Sequence, residues 1–169
     1  MSMKTRSALT QGVVYIHSTP SSLCPHIGWA LEAVFEQQVD IGWTAQPLGR
    51  HLVRMELSWA ASPGTGAHLA SALRRFRTIR FEVVEEPSDG IDGSRWAYTP
   101  SLGVHHTVVS TTGDILVSEN RLRAALSSGG HALVRREIEI ALGEPWDCEL
   151  EPFRHAGDTG SVRWLHQVG

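Results

Sequence analysis

The sequence predicts an α+β fold whose first half, residues 11–87, is a ferredoxin-like βαββαβ unit. Four short segments have the alternation or the β-branched composition of strands, and two intervening segments carry apolar residues at helical spacing. The order strand, helix, strand, strand, helix, strand is that of a split βαβ unit, whose two helices cover one face of an antiparallel sheet. A doubly wound parallel sheet would need more alternating units.

The first strand, the first helix and the second strand follow from local composition. We predict the first strand over residues 12–19, which read GVVYIHST and end at Pro20. A helix follows, because apolar residues recur at the spacing of one helical face. These residues are Ile27, Ala30, Leu31, Val34 and Phe35. The segment VDIGWTAQ, residues 39–46, alternates apolar side chains and predicts the second strand.

The third strand has the clearest alternation in the chain. The segment LVRMELSWAA, residues 52–61, places its large apolar side chains on one face and its charged side chains on the other. Helical spacing returns from Ala67 to Phe76, and TIRFEVVEEP, residues 78–87, alternates again as the fourth strand. Together these segments complete the βαββαβ order.

A second α+β half is predicted over residues 95–169, after the connector SDGIDGS at residues 88–94. We expect it to pack tightly on the first half because the connector is short. It should hold strands in RWAYTP, GVHHTVVS and DILVS, and two helices, one beginning at Ser118 and one reading HALVRREIEIALG. The segments at residues 146–153 and 161–168, WDCELEPF and SVRWLHQV, are expected to supply two late strands.

Composition excludes several classes of protein. With 15 Lys and Arg against 18 Asp and Glu, the chain has a formal net charge of -3 and no broad positive surface for nucleic acid. The first residues lack the apolar segment of a signal peptide, and no apolar run approaches the roughly 20 residues that cross a bilayer. We therefore expect a cytoplasmic protein without a membrane partner, in which Cys24 and Cys148 are reduced thiols.

Three long segments resemble a family of actinobacterial proteins that is known only as a domain of unknown function. They read GVVYIHSTPSSLCPHIGWAL, RFEVVEEP and YTPSLGVHHTVVSTTGDILVSENRLRAAL, and the likeness runs from Gly12 into the tail. The resemblance implies no activity for any residue. It implies an accessory role in lipid metabolism, which no residue of this sequence shows.

Cys24 is the first candidate for a catalytic site, with His26 and His17 as candidate bases. Proline favours the first helical position, so Pro25 would make Cys24 the N-cap residue. A thiol there lies at the positive end of the helix dipole, and a charge on His26 would lower the pKa of the thiol further. The alternative is an inert thiol, because a lone free cysteine is most often a small buried hydrophobe.

A zinc site is the second hypothesis, because imidazole and thiolate are the ligands that zinc prefers. The candidate ligands are His17, Cys24, His26, His105 and His106. Their spacing matches no zinc motif, and His105 and His106 should point to opposite faces of one strand. We therefore predict no metal and no cofactor, and we keep His105 and His106 as candidate ligand-binding residues.

Polar side chains on the strands suggest a third site. If the alternate apolar residues point toward the helices, the opposite face of the sheet carries a polar set. It consists of Tyr15, His17, Arg54, Glu56, Arg80 and Glu82. Antiparallel sheets commonly leave one face solvated, and this set could equally form structural ion pairs. If the second half covers the face, the set becomes a candidate anion-binding or acid–base site.

Two glycine-rich segments precede helices and could hold an anion through free backbone N–H groups. They read SPGTGAH and SSGGHAL, and neither matches a P-loop or a dinucleotide-binding fingerprint. Linker and helix-end roles explain both. Trp29 lies next to Ala30 and opposite part of the apolar helical face, and it is either a core residue or an aromatic anchor that contacts the second half or a partner.

The sequence holds no hydrolase, kinase or dehydrogenase motif. Our first hypothesis is a non-catalytic module that binds a partner protein or a small ligand where its halves meet. The alternative is a thiol-dependent enzyme that uses Cys24 with His26 or His17 and a helix N-terminus.

Overall fold

One antiparallel sheet of seven strands runs through both predicted halves of the chain. The computed structural model of the protein describes residues 9–156. Within that range the strands are β1 (Thr10–Pro20), β2 (Thr44–Ala45), β3 (Leu52–Ala61), β4 (Arg80–Glu85), β5 (Gly93–Thr99), β6 (Gly103–Val109) and β7 (Ile115–Leu116). Their order across the sheet is β2-β3-β1-β4-β5-β6-β7, and every neighbouring pair is antiparallel. Because β4 pairs with β5, the sheet continues across the connector.

Helices cover both faces of this sheet. The α-helices are α1 (Cys24–Phe35), α2 (Thr65–Leu73), α3 (Glu119–Ser127), α4 (His131–Leu142) and α5 (Glu144–His155), and a 3-10 turn at Ser21–Leu23 leads into α1. Helices α1 and α2 pack on one face, and α5 packs on the other face against β1 and β5. Among residues 9–156, no helix is long and apolar enough to span a bilayer.

The main core lies between α1, α2 and the sheet. Its fully buried side chains include Val14, Ile16, Ile27, Leu31, Leu69, Leu73, Phe81 and Val83. The strand members alternate along β1 and β4, as the period-two pattern predicts. A smaller cluster beneath α5 contains Ala97, Trp146 and Leu150, with Ile140 beside it. The predicted α+β class is therefore confirmed.

The second predicted strand is much shorter than expected. Of residues 39–46, the structure pairs only Thr44 and Ala45, which lie opposite Arg54 and Val53 of β3. Ile41 and Trp43 are instead partly buried loop residues that pack against the main core. Apolar alternation here reflects burial at the edge of the core and not strand pairing.

The prediction of a late strand at residues 146–153 is wrong, because this segment belongs to helix α5. Trp146 and Leu150 are four residues apart, so they lie on one helical face and reach the small cluster beneath it. The second half therefore has three helices among its described residues where we predicted two. The other predicted late strand, residues 161–168, lies outside the described residues.

Gly143 allows α4 to turn directly into α5. Its φ is +85°, a left-handed conformation that favours glycine, and Pro145 follows in the first turn of α5. A Cβ atom at this position would lie 3.0 Å from the ring of His105. The tight turn brings α5 back over the sheet, where it contacts β1 and β5.

Candidate functional site

A cleft of about 530 Å³ opens on the sheet face that α5 partly covers. It is lined by Tyr15, Ile16, His17, Gly42, Thr44, Arg54, Met55, Glu56, Glu82 and Arg154. Tyr15 lies directly between two carboxylate residues, because it pairs with Glu56 of β3 on one side and Glu82 of β4 on the other. Five of the six residues in the predicted polar set line this cleft.

Glu82 is the centre of a buried network of charges. One carboxylate oxygen lies 2.6 Å from His17 Nε2 and 2.8 Å from Arg154 Nε. The other accepts from Arg95 Nε at 2.8 Å and from Arg154 Nη2 at 2.9 Å. Burial by itself raises the pKa of Glu82, but the hydrogen bonds from His17 and Arg154 and the charge of Arg95 hold that pKa far below its ordinary range. Glu82 is therefore ionised.

Asp147, a residue of α5, accepts hydrogen bonds from the same two arginines. Its Oδ1 accepts from Arg95 Nη2 at 2.6 Å and from Arg154 Nη2 at 2.7 Å. Asp147 and Arg154 are seven residues apart, two helical turns, so they share one face of α5. Two carboxylates and two guanidinium groups balance one another, which satisfies the condition for holding charges away from water.

His17 is held in one orientation. An ionised carboxylate only accepts hydrogen bonds, so the Nε2–H group of His17 donates this hydrogen bond to Glu82. The backbone carbonyl of His17 accepts from Gln46 Nε2 at 2.6 Å, and the same nitrogen donates to the carbonyl of Phe153 at 3.2 Å. His17 also lies where the register of β1 shifts, an irregularity that redirects side chains.

Five polar side-chain groups of the cleft have no hydrogen-bond partner among residues 9–156. They are the hydroxyls of Tyr15 and Thr44, the Nδ1 of His17, the guanidinium of Arg54 and the carboxylate of Glu56. The rings of Tyr15 and His17 are parallel, with centroids 5.8 Å apart. Burial raises the pKa of the Tyr15 phenol, and the charges of Glu56 and Glu82 raise it further, so this hydroxyl stays protonated and can donate. Tyr15, His17 and Arg54 therefore present unpaired polar groups to the cleft.

A family model described as "Protein of unknown function (DUF3145)" matches residues 13–167. The chain belongs to the DUF3145 family. This confirms the resemblance to a domain of unknown function, and the matched range contains every residue that lines the cleft. No curated protein and no solved structure matches the chain.

Arg80, the sixth residue of the polar set in this DUF3145 protein, lies outside the cleft. The guanidinium carbon of Arg80 stacks over the ring of Phe153, 4.3 Å from its centroid, on the inner side of α5. Arg80 therefore helps to attach α5 to the sheet and does not line the cleft.

The two histidines of β6 in the DUF3145 protein point to opposite faces, as predicted. His105 is buried and stacks on Trp146 at 4.4 Å, whereas His106 is exposed, stacks on Trp96 and lies 3.1 Å from Ser94 Oγ. Neither lines the cleft. Among residues 9–156, no group of three or more histidine, cysteine or acidic side chains comes together as a metal site.

Cys24 does not occupy the predicted N-cap position. Leu23 is the N-cap residue of α1, and Cys24 is its first helical residue, so Pro25 is one position later than expected. Burial raises the pKa of the Cys24 thiol, against a smaller lowering by a backbone hydrogen bond. His26 follows two positions later on the helix, where side chains do not face each other, and His17 lies on the opposite face of the sheet.

The glycine-rich segment before α2 already holds a carboxylate of the chain itself. The backbone N–H groups of Gly64 and Gly66 each donate to Glu85, over distances of 2.7 Å. The Glu85 carboxylate therefore occupies the backbone N–H groups that a bound anion would need. Glu85 lies on the same face of β4 as Phe81 and Val83, so the bond also attaches α2 to the main core.

Four residues of the site were not predicted from the sequence: Arg95, Asp147, Arg154 and Gln46. Arg95 begins a predicted strand and was not assigned to a face. The seven-residue spacing of Asp147 and Arg154 is a signal of a shared helical face, but it is informative only once the segment is recognised as a helix. No local pattern marks Gln46, whose partners are 29 and 107 residues away.

Proposed function

We propose that this protein binds a small carboxylate ligand, without catalysis, in the cleft beside Arg54 and His17. The observation that carries the proposal is the guanidinium of Arg54. It is half-buried, it lines the cleft, and it has no ion-pair partner among residues 9–156. A partly desolvated cation without a counter-charge is the group that an anionic ligand would neutralise.

The contrast with the other two arginines of the site supports this assignment. Arg95 and Arg154 each contact both Glu82 and Asp147, so their charges are balanced within the chain. Arg54 is left with a planar fork of donors that matches a carboxylate in geometry. Glu56, two residues along the same strand, also lines the cleft and is exposed to solvent.

The remaining free groups complete a site of suitable size. The Tyr15 hydroxyl can donate to a second ligand oxygen, and the parallel rings of Tyr15 and His17 offer an apolar surface beside it. The volume of about 530 Å³ lies within the range of small-molecule sites, roughly 300–1,000 Å³. A ligand with one carboxylate and a compact apolar body suits these groups.

The lining argues against covalent catalysis in the cleft. Its described residues include no cysteine and no serine, and the raised pKa of the Cys24 thiol disfavours the alternative thiol-dependent enzyme. His17 is oriented by Glu82 as in an acid–base pair, but neither hydroxyl of the lining, Tyr15 or Thr44, hydrogen-bonds to it as an activated nucleophile would. Binding is therefore the simpler use of this geometry.

The proposal includes two further points, a ferredoxin-like arrangement of the first half and a cytoplasmic location of the protein. The order β2-β3-β1-β4, with α1 and α2 on one face, supports a ferredoxin-like arrangement for the first half. Cys24 and Cys148 are both free, which supports a reducing, cytoplasmic location.

The test is a binding assay with four defined anions: acetate, benzoate, succinate and inorganic phosphate. We expect at least one of the three carboxylates to bind the wild-type protein in isothermal titration calorimetry. Arg54→Gln should weaken that binding by about tenfold or more, because a charge-assisted hydrogen bond contributes about 1.5–3 kcal/mol.

The matched control is Arg136→Gln, which removes an exposed guanidinium from α4, away from the cleft. It should bind the same acid as tightly as the wild type does. Absence of binding by all three carboxylates, or equal binding by Arg54→Gln, would contradict the proposal. Binding of phosphate alone would contradict the choice of carboxylate.

A further inference from the structure

A second groove, of about 520 Å³, lies between α1 and α2 on the face of the sheet opposite the cleft. Small side chains form part of its lining, including Ala30, Ala33 and Ala72. His26 and Trp29 stand on the α1 side, and His68, Arg75 and Phe76 stand on or just after α2. None of the cleft residues takes part in this groove.

Trp29 is exposed at this groove and does not belong to the core. Its side chain is 64% exposed, whereas Ile27 and Leu31 on the inner face of α1 are fully buried. The ring of His26 meets it edge-on at a centroid distance of 5.3 Å. A tryptophan beside a groove of small side chains has the form of an interface anchor.

The charged side chains that line the groove have one sign. The described lining contains Arg75 and two histidines but no carboxylate. Arg77 is exposed two residues after Arg75, and neither arginine has an ion-pair partner among residues 9–156. This cationic surface stands out because the whole chain carries a formal charge of -3. It is complementary to an acidic partner.

We propose that the groove between α1 and α2 binds an acidic amphipathic helix of a partner protein. Apolar side chains of that helix would enter the groove beside Trp29 and Phe76, and its carboxylates would pair with Arg75 and its neighbours. The outer strands of the sheet are β2 and β7, and neither lines the groove. An extended peptide therefore finds no strand to pair with here, and a helix placed against the helices is the mode that remains.

The probe is a synthetic amphipathic helix with leucine on one face and glutamate on the other. Two matched peptides serve as controls, one with lysine for every glutamate and one with the acidic composition scrambled. Binding is followed in ¹H–¹⁵N NMR spectra through the indole N–H of Trp29, which the variant Trp29→Phe assigns. We expect the acidic helix alone to move this resonance.

Charge reversal tests the role of Arg75. Arg75→Glu should weaken binding of the acidic helix by about tenfold or more, since it replaces an attractive contact by a repulsive one. Arg136→Glu, the same change on α4, should leave the affinity unchanged. Arg54→Gln should also leave it unchanged, so this proposal and the carboxylate cleft fail or succeed separately.

Several outcomes would overturn the proposal. These are no binding of the acidic helix, equal binding of the lysine or scrambled peptide, and an affinity that Arg75→Glu does not alter. Binding of phosphatidylglycerol vesicles with the same dependence on Arg75, but no binding of the helix, would assign the groove to a membrane surface.

Discussion

His17 and Glu82 are 65 residues apart in the chain, yet the Nε2 of His17 lies 2.6 Å from a carboxylate oxygen of Glu82. The same carboxylate binds Arg95 of β5 and Arg154 of α5. One buried acid therefore connects three adjacent strands with the helix that covers them. The cleft takes its shape from these contacts, and its stability depends on them.

Removal of the Glu82 charge should destabilise the protein strongly. Glu82→Gln keeps the size of the side chain but leaves Arg95 and Arg154 with one counter-charge fewer in a buried place. We expect the free energy of unfolding in urea to fall by about 3–5 kcal/mol. Glu119→Gln is the matched control, because Glu119 pairs with Arg123 on the exposed surface of α3. Its effect should stay below about 0.5 kcal/mol, and equal losses in both variants would contradict the prediction.

The stabilisation from the charge network should depend on pH. The pKa values of Glu82 and Asp147 are both lowered in the folded protein, through hydrogen bonds and charges that outweigh the effect of burial. Their contribution is present above the ordinary carboxyl pKa of about 4 and is lost as pH falls below it. The gap in unfolding free energy between wild type and Glu82→Gln should therefore be largest near pH 7. A gap that stays constant down to about pH 3 would show that the charge of Glu82 does not matter.

Cys24 should behave as an unactivated thiol. In Cys148→Ser only Cys24 remains, and in Cys24→Ser only the exposed Cys148 remains. We expect iodoacetamide to label Cys24 more slowly at pH 7.5, because burial raises the pKa of its thiol. The pH at half-maximal labelling should lie above the ordinary thiol value of about 8.5. A midpoint below about 7 would instead support the thiol-dependent enzyme.

Neutralising Glu56 should improve binding of a carboxylate in the cleft. Glu56 lines the cleft two residues from Arg54 and repels an incoming anion. Because Glu56 is exposed, we expect Glu56→Gln to tighten binding only modestly, by about two- to fivefold, in the calorimetric assay. Glu137→Gln, an exposed position on α4, controls for the change in net charge. A loss of affinity in Glu56→Gln would mean that the carboxylate itself contacts the ligand.

Much of the candidate site could be predicted because side chains alternate along any strand. Tyr15 and His17 of β1, Arg54 of β3 and Glu82 of β4 were placed on one face by local pattern alone, and that placement holds. Arg80 was placed on this face with them, but it lies against Phe153 and outside the cleft.

The helix that completes the site could not be predicted in the same way. Residues 144–155 are rich in charges, with only a few apolar residues, so their periodicity is weak until the buried positions Trp146 and Leu150 are known. Asp147 and Arg154 are recognised as site residues only through their ion pairs with Arg95 and Glu82, which belong to distant parts of the sequence.

By itself, the sequence determined the α+β class, the main strands and helices, and which strand side chains share a face. These depend on the local backbone and on the spacing of apolar residues, which any short segment displays. Only the tertiary structure decided that α5 covers part of the polar face, that Glu82 balances two arginines and that Arg54 has no ion-pair partner among residues 9–156. Charge balance in a buried site is a property of residues far apart in the chain, and no local pattern records it.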